Sequence, residues 1–198
     1  MSAPIHNLRN LTKPSGTFLL DTNVLLWYTY EGGIYPAGKS PQGYQSYYYP
    51  EFVKLLLTEK AKIYYSIFSL AELYHTVEKI YVGLINDRVN DENSSNYIKY
   101  PKQLRTNHPI EKQRMDRTFE GMCTDIEAIG SPIPTPDPFN KERLMSYIQD
   151  YKLDAFDAMI YYSMNNCGLE NIVTDDGDFK NVNGLHLYTA NNTVLKNR

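Results

Sequence analysis

Short apolar segments that end in acidic residues alternate along this chain with longer stretches of helical periodicity. Thr17 to Leu20 (TFLL) runs directly into Asp21, and Asn171 to Thr174 (NIVT) runs into a second acidic group. Strands that alternate with helices pair in parallel, because each helix carries the chain back to the starting edge of the sheet. The sequence therefore predicts an α/β fold with a central, mostly parallel sheet and helices on both faces.

The other elements follow from apolar spacing and from cap residues. From Ser69 to about residue 84, apolar side chains recur at intervals of three and four, which is the period of an amphipathic helix. By the same criteria, further helices are predicted over residues 24–30, 51–59, 111–129, 140–149 and 154–166, and further strands over residues 62–66 and 185–188.

The length favours one domain, since 198 residues lie within the usual range of about 100 to 200 residues per domain. Two segments are predicted to be insertions. Residues 31–50 are dense in Gly, Pro and Tyr and are expected to hold no long regular element, while residues 86–117 begin with a polar, turn-rich run. We therefore predict a single domain over residues 1–198 with insertions at about 31–50 and 86–117.

Charge and composition argue against several classes of protein. A formal net charge of −3 does not suit a protein that coats nucleic acid by bulk positive charge, although a nuclease can obtain local positive charge from metal ions. The apolar runs are too short for a membrane span or a signal peptide, so a cytoplasmic protein is expected. Cys123 and Cys167 have no nearby ligand at metal spacing and indicate neither a zinc site nor a disulfide framework.

Gly33 to Ser40 match the phosphate-loop pattern G-x-x-x-x-G-K-[ST]. A working phosphate loop follows a buried strand and opens a helix whose N-terminus faces the phosphates. Here a helix is predicted upstream, Pro36 removes one amide donor, and Gly43 lies where the next helix should wind. Nucleotide binding through Lys39 is therefore the weaker hypothesis.

Four acidic residues lie where a parallel sheet would bring them together. Asp21 follows the first predicted strand, and Glu72 lies in the first turn of the helix after the second. Asp157 lies in the helix before NIVT, and Asp176 follows that strand. Two carboxylates about 4 Å apart repel by roughly 4 kcal/mol at an effective dielectric constant of 20. Protonation or a hard cation such as Mg²⁺ or Mn²⁺ would relieve the repulsion, and such ions assist phosphodiester hydrolysis.

Most of these acids also have a purely structural alternative. Ser69 and Glu72 have the spacing of a capping box, in which Glu72 would only accept the backbone amide of Ser69. Asp157 lies where any acid stabilises the positive end of a helix dipole. Residues 175–178 would form a turn. Asp21 is the hardest to explain in this way, because a strand such as TFLL needs no acid at its tip.

Four motifs occur in the order and in the strand and helix settings of the PIN domain. They are LLDTNVL at residues 19–25, SIFSLAEL at 66–73, DAMI at 157–160 and IVTDDGDF at 172–179. The sequence therefore resembles the PIN domain family, and within it most closely the VapC-like ribonuclease toxins of toxin–antitoxin pairs. The resemblance covers about residues 17–30, 62–84 and 140–190.

This resemblance implies a three-layer α/β/α fold and cleavage of single-stranded RNA with Mg²⁺ or Mn²⁺. By position in the motifs, the metal-binding and catalytic residues would be Asp21, Glu72, Asp157 and Asp176, with Asn23 and Thr174 supporting them by hydrogen bonds and Asp178 as an extra acid. Asp176 is preferred to Asp175 because it completes the T-x-D-x-x-F spacing of the family. The implied partners are the RNA substrate, a second copy of the chain and a small antitoxin protein.

The two insertions leave the biological role open. The leading hypothesis is a metal-dependent endoribonuclease that acts as the toxin of such a pair. The alternative is a PIN-like module that binds RNA or a protein without cutting, which the negative net charge and the insertions favour. Candidates for guiding RNA are the basic residues Lys39, Lys102, Arg105, Lys112, Arg114 and Arg117.

Overall fold

The computed structural model describes residues 3–30, 32–136 and 139–196. At its centre lies a six-stranded sheet with the order β1-β6-β5-β2-β3-β4, in which every neighbouring pair of strands is parallel. The strands are β1 (Ile5–Asn7), β2 (Thr17–Leu20), β3 (Lys62–Tyr65), β4 (Ser131–Pro132), β5 (Asn171–Val173) and β6 (His186–Thr189). The parallel sheet predicted from the sequence is confirmed, and the short strands β1 and β4 were not predicted.

Eight helices surround the sheet in the described part of the chain. They are α1 (Thr22–Thr29), α2 (Gly43–Thr58), α3 (Ile67–Val89), α4 (Pro101–Asn107), α5 (Pro109–Ile129), α6 (Lys141–Tyr151), α7 (Ala155–Asn166) and α8 (Asn192–Lys196). Two short 3-10 helices add to them, at Leu8–Asn10 and Asp178–Asn181. None of these helices combines the length and the apolar character that a bilayer crossing requires.

Side chains that alternate along β2 divide the core into two layers. Phe18 and Leu20 pack with residues of α1, α2, α3 and α5 on one face of the sheet. Leu19 points the other way and packs with residues of α6 and α7. The result is the three-layer α/β/α architecture that the resemblance to PIN domains implies.

The segment 31–50 differs from the prediction, because α2 begins at Gly43 and continues through Pro50. Tyr49 and Phe52 explain the difference, since both are buried and the Tyr49 ring lies 5.0 Å from the ring of Trp27. Burial of two such side chains contributes about 3 to 6 kcal/mol, whereas proline inside a helix costs about 3 kcal/mol. The expectation of no long regular element is therefore wrong for the second half of this segment. Residue 31 lies outside the described residues.

The segment 86–117 is also more regular than predicted. It contains the end of α3, all of α4 and the start of α5, and only residues 90–100 and residue 108 are irregular. Leu104 and Met115 are fully buried, so these helices extend the core. Arg105 adds an ion pair across the segment, with its Nε 3.2 Å from an oxygen of the buried Glu78 on α3.

Residues 33–40 do not have the surroundings of a phosphate loop. A helix rather than a strand precedes them, and the next helix does not start until α2. The buried Pro36 packs against α3 at Gly83, where an added Cβ would lie 2.5 Å from the proline ring. The Ala37 amide, which a phosphate loop would offer to its ligand, donates to a carboxylate oxygen of Asp87 at 2.7 Å. The structure therefore removes the basis for nucleotide binding by this motif.

Candidate active site

The register of two central strands sets the position of Asp21. β2 and β5 are adjacent and parallel with Leu20 opposite Val173, so Asp21 and Thr174 follow side by side at the carboxyl edge of the sheet. Asp21 is buried, and its Oδ2 accepts a hydrogen bond of 2.7 Å from Thr174 Oγ1. Its Oδ1 accepts the Thr22 amide, also at 2.7 Å, which caps α1. Both carboxylate oxygens are thus held in place by the fold.

Glu72 reaches the same edge from α3. Its Oε2 accepts a hydrogen bond of 2.5 Å from the hydroxyl of Thr22, the first residue of α1. α3 is capped by Ser66, so Ser69 lies inside the helix. The capping-box alternative for Glu72 is therefore wrong, and its carboxylate instead joins α3 to the helix that follows β2.

Three further carboxylates complete the acidic edge. Asp157, Asp176 and Asp178 can each present one oxygen within 4.8 Å of the other two. Asp157 lies in the first turn of α7 and is buried, whereas Asp178 is exposed. The Asp176 amide donates to Thr174 Oγ1, and the Asp178 amide donates to Asp176 Oδ1, each at 2.9 Å. The expected turn is therefore present, and it directs acidic groups toward Asp157.

The protonation behaviour of the buried acids shows that these groups influence one another. Burial raises the pKa of Asp21 to about 7, and the negative charges of Glu72 and Asp176 add to this effect, while hydrogen bonds from Thr174 and Thr22 oppose it. Burial also raises the pKa of Asp157 to about 9. The charges that raise it further come from Asp21, Asp154, Asp176 and Glu72. The four acids singled out in the sequence therefore influence one another electrostatically, whereas among the described residues the group with oxygens within 4.8 Å of one another contains Asp157 and Asp176 of the four, together with Asp178.

Asp175 is engaged elsewhere, although it is adjacent in the chain to Asp176. Its carboxylate accepts hydrogen bonds from three side chains of α2: Gln45 Nε2 at 2.7 Å, Tyr49 OH at 2.6 Å and Tyr44 OH at 3.1 Å. The side chain of Asp175 thus ties α2 to the end of β5. This geometry favours Asp176 over Asp175 as a metal ligand.

The two supporting residues proposed from the sequence have different surroundings. Thr174 accepts from the Asp176 amide and donates to Asp21, so one hydroxyl links two of the acids. Asn23 lies half-buried in the first turn of α1, and the hydrogen bond to Glu72 comes instead from its neighbour Thr22. Sequence reasoning missed Thr22. The available signal was its place directly after Asp21, where a hydroxyl in the first helical turn borders the strand ends.

The donor set of this edge suits a hard divalent cation. All five carboxylates offer oxygen, and among the described residues the candidate metal-holding group includes neither histidine nor cysteine. Such oxygen-only sites are typical of Mg²⁺, Mn²⁺ and Ca²⁺ rather than of zinc or copper. Burial raises the pKa values of Asp21 and Asp157 and repulsion between the acids adds to it, and a cation would offset both effects. The acidic cluster can therefore bind a divalent metal ion.

Two solved structures are similar in fold to this chain. A chain in the crystal structure of VapBC2 from Rickettsia felis bound to a DNA fragment from their promoter is 17% identical with a TM-score of 0.49, covering 87% of this chain and 98% of that chain. A chain of FitAcB from Neisseria gonorrhoeae is 20% identical with a TM-score of 0.42, covering 86% of this chain and 96% of that chain. No protein-family profile and no curated protein matches the sequence. The function is therefore inferred from the acidic side chains and from the four sequence motifs.

The stability of the metal-free protein should fall as the pH rises from 6 to 8. Asp21 and Asp157 have pKa values of about 7 and about 9 when folded, above the ordinary value of 3.8, so the folded state binds protons more tightly than the unfolded state. The free energy of unfolding should then fall by up to about 1.4 kcal/mol per pH unit for each group, until the pH passes the pKa of that group in the folded state. Urea unfolding in EDTA at several pH values measures this slope, and a free energy of unfolding that rises over this range would contradict it.

Two experiments, one with a variant and one with added metal, test whether this pH dependence of stability arises in the acidic cluster. Asp157→Asn should make the decline with pH shallower, because one of the two titrating groups is gone. Millimolar Mn²⁺ should raise the melting temperature of the wild-type protein more at pH 8 than at pH 6, since metal binding must displace protons from these carboxylates. An equal metal effect at both pH values would show that the cation binds elsewhere.

Tyr49→Phe should destabilise the protein by about 2 kcal/mol. The Tyr49 hydroxyl donates to Asp175 at 2.6 Å and accepts the Ala190 amide at 3.0 Å, and its removal leaves both groups short of a partner. Urea unfolding measures the change. Tyr47→Phe on the same helix is the matched control, because Tyr47 is 61% exposed and should change stability by less than about 0.5 kcal/mol. Equal effects of the two variants would contradict the conclusion that the Tyr49 hydroxyl stabilises the fold through its hydrogen bonds with Asp175 and Ala190.

Proposed function

We propose that this protein is a metal-dependent endoribonuclease that cleaves phosphodiester bonds in single-stranded RNA. One observation carries the proposal: four acidic side chains from distant parts of the chain meet at the carboxyl edge of the sheet, namely Asp21, Glu72, Asp157 and Asp176. A fold gains nothing in stability from burying mutually repelling acids, so the arrangement is better explained by a bound cation. The four motifs that resemble the PIN domain support RNA as the substrate.

In this proposal, Asp157 and Asp176 hold Mg²⁺ or Mn²⁺ together with Asp21 and Glu72, and Asp178 adds an acid at the exposed rim. Such a cation supplies positive charge to the phosphodiester and lowers the pKa of the attacking water. The protein contributes orientation. Hydrogen bonds from threonine hydroxyls fix the carboxylates of Asp21 and Glu72, and the fixed carboxylates need little rearrangement when the cation binds.

Asp176→Asn and Asp21→Asn should each lower RNA cleavage by at least about 100-fold, because even the loss of a group that only supports a metal ligand costs up to this much. The measurement is the initial rate of cleavage of a labelled, unstructured RNA in Mn²⁺, with EDTA as the metal-free reference. Asp125→Asn serves as the matched control, since Asp125 is an exposed acid on α5 away from the strand ends.

Equal cleavage by the wild type and the two variants would overturn the assignment of the acidic cluster. Mn²⁺ binding detected by calorimetry without any cleavage would instead favour the alternative of a PIN-like module that binds RNA or protein. Thermal unfolding of each variant in EDTA separates lost chemistry from lost folding.

We further propose that the nuclease is the toxin of a toxin–antitoxin pair, acting in the cytoplasm as a homodimer and held inactive by a small antitoxin protein. The support is the resemblance of the four motifs to VapC-like toxins. Expression of the wild-type chain should arrest growth and expression of Asp176→Asn should not, as measured by colony counts after induction. Growth arrest by both chains, or by neither, would contradict the toxin role without testing the chemistry.

A further inference from the structure

A cleft of about 440 Å³ lies beside α3, away from the carboxylates described above. One wall is the 36–39 part of the motif that failed as a phosphate loop, the floor is α3, and Tyr97 of the irregular segment 90–100 closes the far side. The cleft is therefore built from both insertions and from a helix that also carries an acid of the cluster.

The floor of the cleft is continuous with the acidic cluster. Thr76, Lys79 and Gly83 line the cleft and lie four, seven and eleven residues after Glu72, which places all four on one face of α3. The helix rises about 1.5 Å per residue, so Thr76 is about 6 Å and Lys79 about 10 Å from Glu72 along the axis. A strand whose scissile phosphate lies at the carboxylates therefore passes into this cleft if it follows α3.

The walls of the cleft are fixed before any ligand binds. Gly83 has no Cβ, and Pro36 occupies the space that a Cβ would need. The carboxylate of Asp87 accepts the Ala37 amide on one side. On the other side, the amide side chain of Asn86 makes two hydrogen bonds with the backbone of Ile98, at 2.9 and 3.0 Å. Preformed walls reduce the entropic cost of binding.

The chemistry of the cleft matches a nucleotide of a single strand. Lys39 and Lys79 both line the cleft and are exposed, and the one acid among the lining residues, Asp87, accepts the Ala37 amide. Tyr97 is half-exposed. Lysines that reach a phosphate together with an aromatic ring that stacks on a base are the usual elements of single-strand recognition.

We propose that this cleft is a subsite for an RNA nucleotide flanking the scissile phosphate, in which Lys39 and Lys79 contact the phosphate and Tyr97 stacks on the base. The inference rests on the proposed function, because it takes the acidic cluster as the point of cleavage. Residues 36–39 would then take part in substrate binding without the geometry of a phosphate loop.

Salt dependence of RNA binding tests the two lysines. The full chain carrying Asp176→Asn, which should not cut, is titrated with a fluorescein-labelled oligouridylate at several KCl concentrations. Each phosphate that is no longer neutralised reduces the slope of log affinity against log salt by about 0.7 for a single strand, so adding K39Q and K79Q, which both contact one phosphate, should reduce it by about 0.7. Lys13 and Lys62 are exposed at the opposite edge of the sheet, and the double change K13Q/K62Q should leave the slope unchanged.

The tyrosine has its own test in the same assay. Tyr97→Ala should weaken binding by about 5- to 150-fold, which corresponds to the loss of one stacked base, whereas Tyr97→Phe retains the ring and should bind like the parent. An unchanged salt slope in K39Q/K79Q together with unchanged binding in Tyr97→Ala would overturn the inference. Equal effects of K39Q/K79Q and K13Q/K62Q would also overturn it, because they would indicate diffuse attraction.

The outcomes separate this inference from the proposed function. If the wild type cleaves RNA and the lysine and tyrosine changes have no effect on binding, the subsite is wrong and the nuclease remains. If the wild type does not cleave RNA and binding still depends on Lys39, Lys79 and Tyr97, the nuclease is wrong and the cleft remains a site for single-stranded RNA.

Discussion

Repulsion between carboxylates at the ends of β2 and β5 is the constraint that the surrounding structure must satisfy. The parallel register brings Asp21 to the edge where Asp176 follows, and α3 and α7 add Glu72 and Asp157. Each close pair costs roughly 4 kcal/mol at an effective dielectric constant of 20, a large fraction of the 5 to 15 kcal/mol by which a domain is stable. Protonation in the metal-free state and a cation in the bound state are the two ways to relieve this cost, and the pKa values of Asp21 and Asp157, which burial raises and neighbouring charges raise further, favour the first.

The hydrogen bonds around the cluster keep these side chains in place despite the repulsion. The hydroxyl of Thr174, which follows β5, donates to Asp21. The hydroxyl of Thr22, the first residue of α1, donates to Glu72. Asp175 is held by three donors from α2, which fixes the backbone from which Asp176 projects. Several of the 18 tyrosines are explained by this anchoring and by the core, with Tyr49 buried and hydrogen-bonded and Tyr44 donating to Asp175. Their abundance therefore does not by itself indicate base stacking.

Local pattern predicted four of the six strands and placed acids at the strand ends, because strand ends and the first turns of helices carry clear signals in the sequence, whereas the short strands β1 and β4 were missed. It was insufficient wherever a distant contact outweighed a local preference. α2 is helical despite Gly43 and Pro50 because Tyr49 and Phe52 are buried, and no local rule contains that burial. Thr22 directly follows Asp21 in the sequence, but its partner could not be predicted, because Glu72 lies 50 residues away in the chain.

With a net charge of −3, the overall field of the protein does not attract a polyanion, so the proposed binding of RNA requires locally placed positive charge. The arrangement along α3 meets this need. Lys79 lies about 10 Å from Glu72 along the helix axis, which exceeds the screening length of about 8 Å at physiological ionic strength. Lys79 is therefore largely screened from the Glu72 carboxylate and can attract a phosphate even while the cluster is negative. In the proposed complex a single RNA strand would span both regions, with its scissile phosphate at the carboxylates and a flanking nucleotide in the cleft, so the lysines would add affinity without displacing the cation.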